Sequence, residues 1–163
     1  VAPTGWEFGQ VSQGGTADYV IDTPLSAQAK LGVTLTWYAH DTNDFSGSDA
    51  GEDPAFGSFD NLDLRIYLAS LVGGIWEPTT LVAQSNSLYN STEELDFALP
   101  TAGDYILQVA DGGYLWNFTG DTATPFGLAW TVSVPEPAGL GLLMMAAAGI
   151  IVQRRRERID PSL

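Results

Sequence analysis

The feature that most constrains this chain is a strict two-residue alternation of apolar and polar side chains. In residues 31–39, Val33, Leu35 and Trp37 fall on one side while Thr34, Thr36 and Tyr38 fall on the other. Residues 62–68 repeat the pattern, with Leu62, Leu64, Ile66 and Leu68 opposed to Asp63, Arg65 and Tyr67. Tyr105, Leu107 and Val109 do the same, as do Leu128, Trp130 and Val132. Period two places alternate side chains on opposite faces of a pleated strand, and no segment before residue 134 carries a helical period. Shorter runs at 18–22, 80–85 and 94–99 complete the set of expected strands, with the third and fourth patterned segments spanning 104–110 and 126–133. Gly14-Gly15, Gly73-Gly74, Pro100-Thr101-Ala102-Gly103 and Gly112-Gly113 supply turns between them. Residues 1–133 are therefore expected to form an all-β domain, an antiparallel, jelly-roll-like β-sandwich.

Charge is distributed unevenly. The formal net charge is −14. Only Lys30 and Arg65 are basic before residue 134, and all but three of the 20 acidic residues lie there. Such a body repels nucleic acid, which is excluded as a partner. The chain has no cysteine, so disulfides, thiolate metal sites and cysteine nucleophiles are absent. Val1 is not an initiator methionine and no signal peptide precedes Trp6, so the expectation is the C-terminal part of a longer exported protein.

Catalytic patterns are weak. His40 is the sole histidine and adjoins Asp41, but no Gly-x-Ser-x-Gly elbow accompanies it, and Phe45-Ser46-Gly47-Ser48 does not supply one. It reads as a solvent-exposed histidine at a strand end. Glu93 and Glu94 are adjacent, face opposite sides of a strand, and cannot flank one glycosidic bond; a solvated turn is expected there. No catalytic role is assigned to this chain. The long 41–59 loop holds Asp41, Asn43, Asp44, Asp49 and Asp53, an oxygen-rich set suited to a structural Ca²⁺, in a region that also contains Glu52 and Asp60. The EF-hand spacing is absent, and a plain acidic loop is the competing reading. No other cofactor is expected. Asp63 faces away from the core with Arg65 two residues along as its partner, a structural pair. Trp6, Trp76, Tyr89, Tyr114 and Trp116 lie in or near loops, where aromatic rings either plug the ends of a sandwich or stack on sugars; Trp76 and Trp116 are the candidates for glycan contact.

The end of the chain follows different rules. Pro135 and Pro137 flank Glu136, which excludes helix and sheet pairing and makes 134–137 an extended, accessible linker. Ala138 to Val152 is uncharged and, with Gln153, forms an expected hydrophobic transmembrane segment at 138–153. As a helix those fifteen residues reach about 22 Å, against a hydrocarbon thickness of about 30 Å. Arg154, Arg155 and Arg156 begin a basic tail, 154–163, that the positive-inside rule keeps cytoplasmic, leaving the acidic body outside. A plain permanent anchor is the alternative.

Pro135-Glu136-Pro137, the apolar run and Arg154-Arg155-Arg156, in that order at a C-terminus, resemble the PEP-CTERM sorting signal of Gram-negative bacteria. The likeness covers about the last thirty residues, and Glu157 to Leu163 extend somewhat beyond its usual end. It implies insertion in the inner membrane, processing by an exosortase-type enzyme near Pro135–Pro137, and delivery to the cell surface or exopolysaccharide matrix. In the body, Val33–Trp37, Asn61–Tyr67, Ser85-Asn86-Ser87 and Leu99–Val109 resemble the C-terminal β-sandwich of subtilisin-like secreted proteases and the related pre-peptidase C-terminal domains. That likeness implies an accessory domain. The expected function is a non-catalytic exported sandwich associated with surface or matrix. The alternatives are the accessory domain of a secreted serine peptidase whose catalytic domain lies upstream, or a carbohydrate-binding module.

Overall fold

A computed structural model describes residues 2–38, 40–41, 56–117 and 120–134. Among them, nine strands follow one another: β1 (Gly5–Ser12), β2 (Thr16–Leu25), β3 (Lys30–Trp37), β4 (His40–Asp41), β5 (Phe56–Val72), β6 (Ile75–Ser85), β7 (Thr92–Ala98), β8 (Gly103–Asn117) and β9 (Ala123–Ser133). All pairings are antiparallel. One sheet has the order β1-β9-β3-β7 and the other β2-β8-β5-β4, with β6 also pairing β5. Each sheet interleaves early and late strands of the chain. The described residues contain no helix. The expected C-terminal helix, the linker with Pro135, Glu136 and Pro137, and the Arg154, Arg155 and Arg156 cluster lie outside them.

The alternating residues meet between the sheets. Leu31, Val33, Leu35 and Trp37 of β3 and Phe126, Leu128 and Trp130 of β9 face Leu62, Leu64 and Ile66 of β5 and Tyr105, Leu107 and Val109 of β8, all buried in one cluster. Burial of each such side chain is worth about 1.5–3 kcal/mol. Trp37 satisfies its indole by donating from Nε1 to the Asp60 carbonyl at 2.9 Å, a bond that crosses from one sheet to the other. Leu99, Pro100 and the turn to Gly103 carry the chain from β7 to β8. Leu99 is buried, donates to the Ala29 carbonyl and accepts from Gln28 N–H. Tyr105, also buried, donates its hydroxyl to the Thr101 carbonyl at 2.6 Å. Asp63 and Arg65 form the expected pair at 2.7 Å.

Several strands exceed the sequence pattern. β5 and β8 run well past 62–68 and 104–110, and β1 falls outside the expected strands altogether. In the first half of β1 the pattern is inverted, while Val11 near its end is buried in the core. Gly5 pairs Trp130 and Gly9 pairs Phe126, both inward residues, so the glycines face the core and Trp6 and Phe8 face out. At Gly9 a Cβ would collide with the Tyr19 hydroxyl and with Phe126 Cζ. Neighbouring aromatics fill the place its own side chain would take.

Glu93 corrects the expectation of a solvated turn. It pairs Leu35 in β7, faces inward and is 2% exposed. Its carboxylate accepts from the Ser85 hydroxyl and from Ser87 N–H, the latter at 2.6 Å, and so ties the end of β6 to the opposite sheet. Glu94, on the opposite side of β7 as adjacent strand residues must be, pairs Thr34 and is exposed. Replacing Glu93 with Ala strands two donors and is expected to cost about 1–3 kcal/mol. Glu94→Ala is expected to change stability by no more than about 0.5 kcal/mol. Urea titration of both variants checks the contrast; equal losses would refute the assigned tie.

Candidate binding face and the buried carboxylate cluster

The outer face of β1-β9-β3-β7 is built in rows, because directly paired residues share a face. Trp6 pairs Ala129, Ala129 pairs Thr34, and Thr34 pairs Glu94. The next row is Phe8, Gly127, Thr36 and Thr92. On the other side lie Thr131, Gly32 and Asp96. Each complete row spans three strand spacings, about 14 Å. Trp6 and Phe8 are 76% and 70% exposed and form an aromatic ridge along the edge strand. Glu94 and Asp96 form an acidic ridge on β7. Between the ridges Gly32, Gly127 and Ala129 keep the surface low, with threonine hydroxyls along it. A groove of about 470 Å³ lies over the β9-β3-β7 part of this face, lined by Lys30, Gly32, Thr34, Glu94, Asp96 and Thr131 among others, with Trp6 and Phe8 on β1 outside its lining. Its volume is in the range of ligand sites. Aromatic faces at one side, hydroxyls in the floor and carboxylates at the other side suit a ligand with apolar C–H faces and many hydroxyl groups.

A second polar region closes the far end of the sandwich. Asp60 is 3% exposed and accepts from Thr124 Oγ1 at 2.6 Å and from Asn61 N–H at 2.8 Å. The Asp111 carboxyl faces it and favours its protonated form. Asp111 in turn accepts from Gly113 N–H at 2.7 Å and from Gly14 N–H, tying β8 to the turn between β1 and β2. Ser58 donates to Asp121 at 2.7 Å, and the Tyr114 hydroxyl lies 3.1 Å from that of Thr124. A cavity of about 320 Å³ opens beside Ser58, Asp60, Tyr114, Asp121 and Thr124. Burial is the main reason that Asp60 is pushed up to about 6; Asp111 adds to the rise, while Thr124 and Asn61 oppose it. Burial, with Asp60, Asp121 and Asp111 nearby, also raises Tyr114.

The structure distributes the sequence candidates as follows. Trp116 stacks on Phe59, with ring centroids 5.2 Å apart, and is half-buried at the Asp60 end. Trp76 is half-buried and pairs Leu71 near the tip of the β5–β6 hairpin. Twelve residues of β5 separate Phe59 from Leu71, about 40 Å of strand, so the two tryptophans do not share a surface. Trp6, one of the aromatics the sequence places near a loop, stands on the outer sheet face instead. Asp41 belongs to β4, while Asn43, Asp44, Asp49 and Asp53 lie outside the described residues, as does the side chain of His40. Among the described residues, no group of three or more acidic, histidine or cysteine side chains is placed to hold a metal ion.

No protein-family model matches the chain, and no curated protein matches it. Among solved structures, it is similar to the Aeromonas hydrophila PliG, a periplasmic inhibitor of g-type lysozyme. That similarity has a TM-score of 0.46 and 14% identity, over 81% of this chain and 88% of the other. It is also similar to the Yersinia pseudotuberculosis-derived mitogen, with a TM-score of 0.43 and 8% identity, over 84% of this chain and 92% of that one.

The Asp60 shift has a sign. A carboxyl raised from 3.8 in the unfolded chain to about 6 in the fold favours folding while it is protonated. That contribution is full below the unfolded value and is lost as pH rises through the folded one. Asp60→Asn keeps an uncharged donor toward Asp111. The melting temperature of the unsubstituted protein, relative to that variant, is therefore expected to fall between pH 4 and pH 7. Parallel profiles across that window would contradict the assignment.

Proposed function

We propose that this chain is a non-catalytic, exported sandwich that binds neutral polysaccharide on the outer face of β1-β9-β3-β7 and is delivered by its C-terminal signal. The observation that carries the binding reading is the cross-strand row Trp6, Ala129, Thr34 and Glu94. The row joins an exposed indole, a low floor, a hydroxyl and a carboxylate within one sheet width. Pyranose rings stack their C–H faces on indole or phenyl rings, and their hydroxyls donate to carboxylates and exchange hydrogen bonds with threonines. Trp6 and Phe8 are two residues apart on one strand, about 7 Å, so successive sugars of one chain reach both. The acidic ridge and the acidic body favour a neutral chain over an anionic one.

Delivery rests on Pro135-Glu136-Pro137, the uncharged 138–153 run and Arg154-Arg155-Arg156. In this reading the tail inserts in the inner membrane, an exosortase-type enzyme cuts near Pro135–Pro137, and the sandwich joins the surface or exopolysaccharide matrix.

Two measurements test the two halves. Affinity electrophoresis in exopolysaccharide from the producing bacterium is expected to retard the protein. Trp6→Ala and Phe8→Ala are each expected to weaken retardation about tenfold, or about 1.4 kcal/mol, while Trp76→Ala leaves it unchanged. Undiminished binding in the Trp6 and Phe8 variants would remove this face from the reading. Intact-mass analysis of protein from its native host is expected to give a chain ending near Pro135–Pro137. A mature chain still ending at Leu163 would make the tail a permanent anchor.

A further inference from the structure

The β5–β6 hairpin extends past the sandwich. The pairing of β5 with β8 ends at Leu68 and Tyr105. Beyond it, residues 69–72 pair only with 75–78, so four residues of each strand project as a two-stranded finger about 13 Å long. Gly73 and Gly74 close its tip with φ of 60° and 87°, a conformation suited to a tight hairpin turn.

The finger is apolar on both faces. Leu71 pairs Trp76 on one face, and Val72 pairs Ile75 on the other. Leu71, Val72 and Ile75 are all more than half exposed, Ile75 at 69%. A ribbon made to lie on a protein surface needs one apolar face and one wet one. A ribbon apolar all round suits a medium that surrounds it. The next rung down is Ser70 with Glu77, so the apolar zone is two rungs deep, about 7 Å. That depth is the headgroup and upper acyl region, where tryptophan is favoured and where unpaired backbone groups at the ribbon's edges still reach water.

Topology puts this finger where a membrane would be. Ser133, at the end of β9, pairs Lys30, which pairs Ala98. From Ala98 the chain crosses through Leu99 to Gly103, which pairs Leu25 two residues before Tyr105 meets Leu68. Val134 therefore leaves the sandwich at the same end as the finger. Residues 134–137 span at most about 13 Å, which matches the finger's reach. With the apolar tail inserted from Ala138, the finger tip comes to the plane of the bilayer.

We propose that Leu71, Val72, Ile75 and Trp76 form a membrane-docking finger that enters the headgroup layer of a zwitterionic bilayer and seats the Val134 end of the sandwich on it. The inference rests on the reading of the tail as membrane-inserted. The acidic body disfavours anionic lipid. Docking on this end leaves the outer sheet face, which runs along the body, clear of the membrane.

Absence of cysteine makes the test direct. The full chain is labelled with an environment-sensitive fluorophore at Ile75→Cys, Val72→Cys, Gln13→Cys at the opposite end, or Ala146→Cys in the tail. Each is reconstituted in phosphatidylcholine and phosphatidylethanolamine vesicles. The probes at 75 and 72 are expected to shift to the blue, to be quenched by nitroxides near the top of the acyl chains, and to lose most of their quenching by aqueous iodide. The probe at 13 is expected to stay open to iodide, and that at 146 to be lipid-quenched. If 146 is lipid-quenched but 75 and 72 behave like 13, the finger is refuted and the tail reading stands. If 75 and 72 are lipid-quenched but 146 is not, the finger is upheld and the tail reading falls. If neither region meets lipid, both fall. A blue shift that appears without vesicles and grows with protein concentration would assign the finger to a second copy and overturn the proposal.

Discussion

Apolar contact between the inner faces of two sheets holds this molecule together. The chain has no disulfide, so β3 and β9 find β5 and β8 through apolar packing, with Leu31, Val33, Leu35, Leu62, Leu64, Ile66, Leu107, Val109 and Leu128 as its aliphatic part. Large rings complete the packing. Trp37 bridges the sheets through the Asp60 carbonyl, and Trp130 donates to the Ala2 carbonyl at 2.8 Å, fixing the start of β1. Because inward positions are claimed by the core, what remains on the outward positions and beyond the sheet ends is available to function.

Two such leftovers differ in kind. On the outer face of β1-β9-β3-β7, the strand order decides which residues become neighbours. Trp6 and Glu94 are 88 positions apart in sequence and share one row because β9 and β3 lie between their strands. The β5–β6 finger owes nothing to that order. It exists because β5 and β6 outrun β8, leaving apolar side chains with no sheet to cover them. The carboxylates at the far end are a third case. Asp60 and Asp111 organise the turn between β1 and β2, β8 and the start of β9, and do so most comfortably when one is protonated.

Sequence patterning revealed the core strands because both of their faces obey one rule: apolar in, polar out. β3, the middle of β5, the first half of β8 and the end of β9 were all legible on that basis. β1 was not, since its inward positions Gly5 and Gly9 are emptied to admit Trp130, Tyr19 and Phe126. Its outward aromatics then look like loop residues. The ends of β5 and β6 were hidden for another reason: Leu71, Val72, Ile75 and Trp76 are apolar without alternation. Glu93 escapes the pattern because an inward carboxylate is tolerable only when donors meet it, and Ser85 and Ser87 become its partners through the sheet crossing. Of the candidate binding face, Trp6 stood among the aromatics singled out by the sequence, but its neighbours required strand order. The Asp63–Arg65 pair, by contrast, needed only two-residue spacing.

The central claim is that the outer face beside Trp6 meets polysaccharide. Indole N–H resonances of the five tryptophans, followed by heteronuclear NMR while exopolysaccharide is added, test it most directly. The account predicts that the Trp6 signal moves progressively while Trp37 and Trp130, buried and bonded to backbone carbonyls, stay in place. Movement of Trp76 or Trp116 with Trp6 unchanged would contradict it.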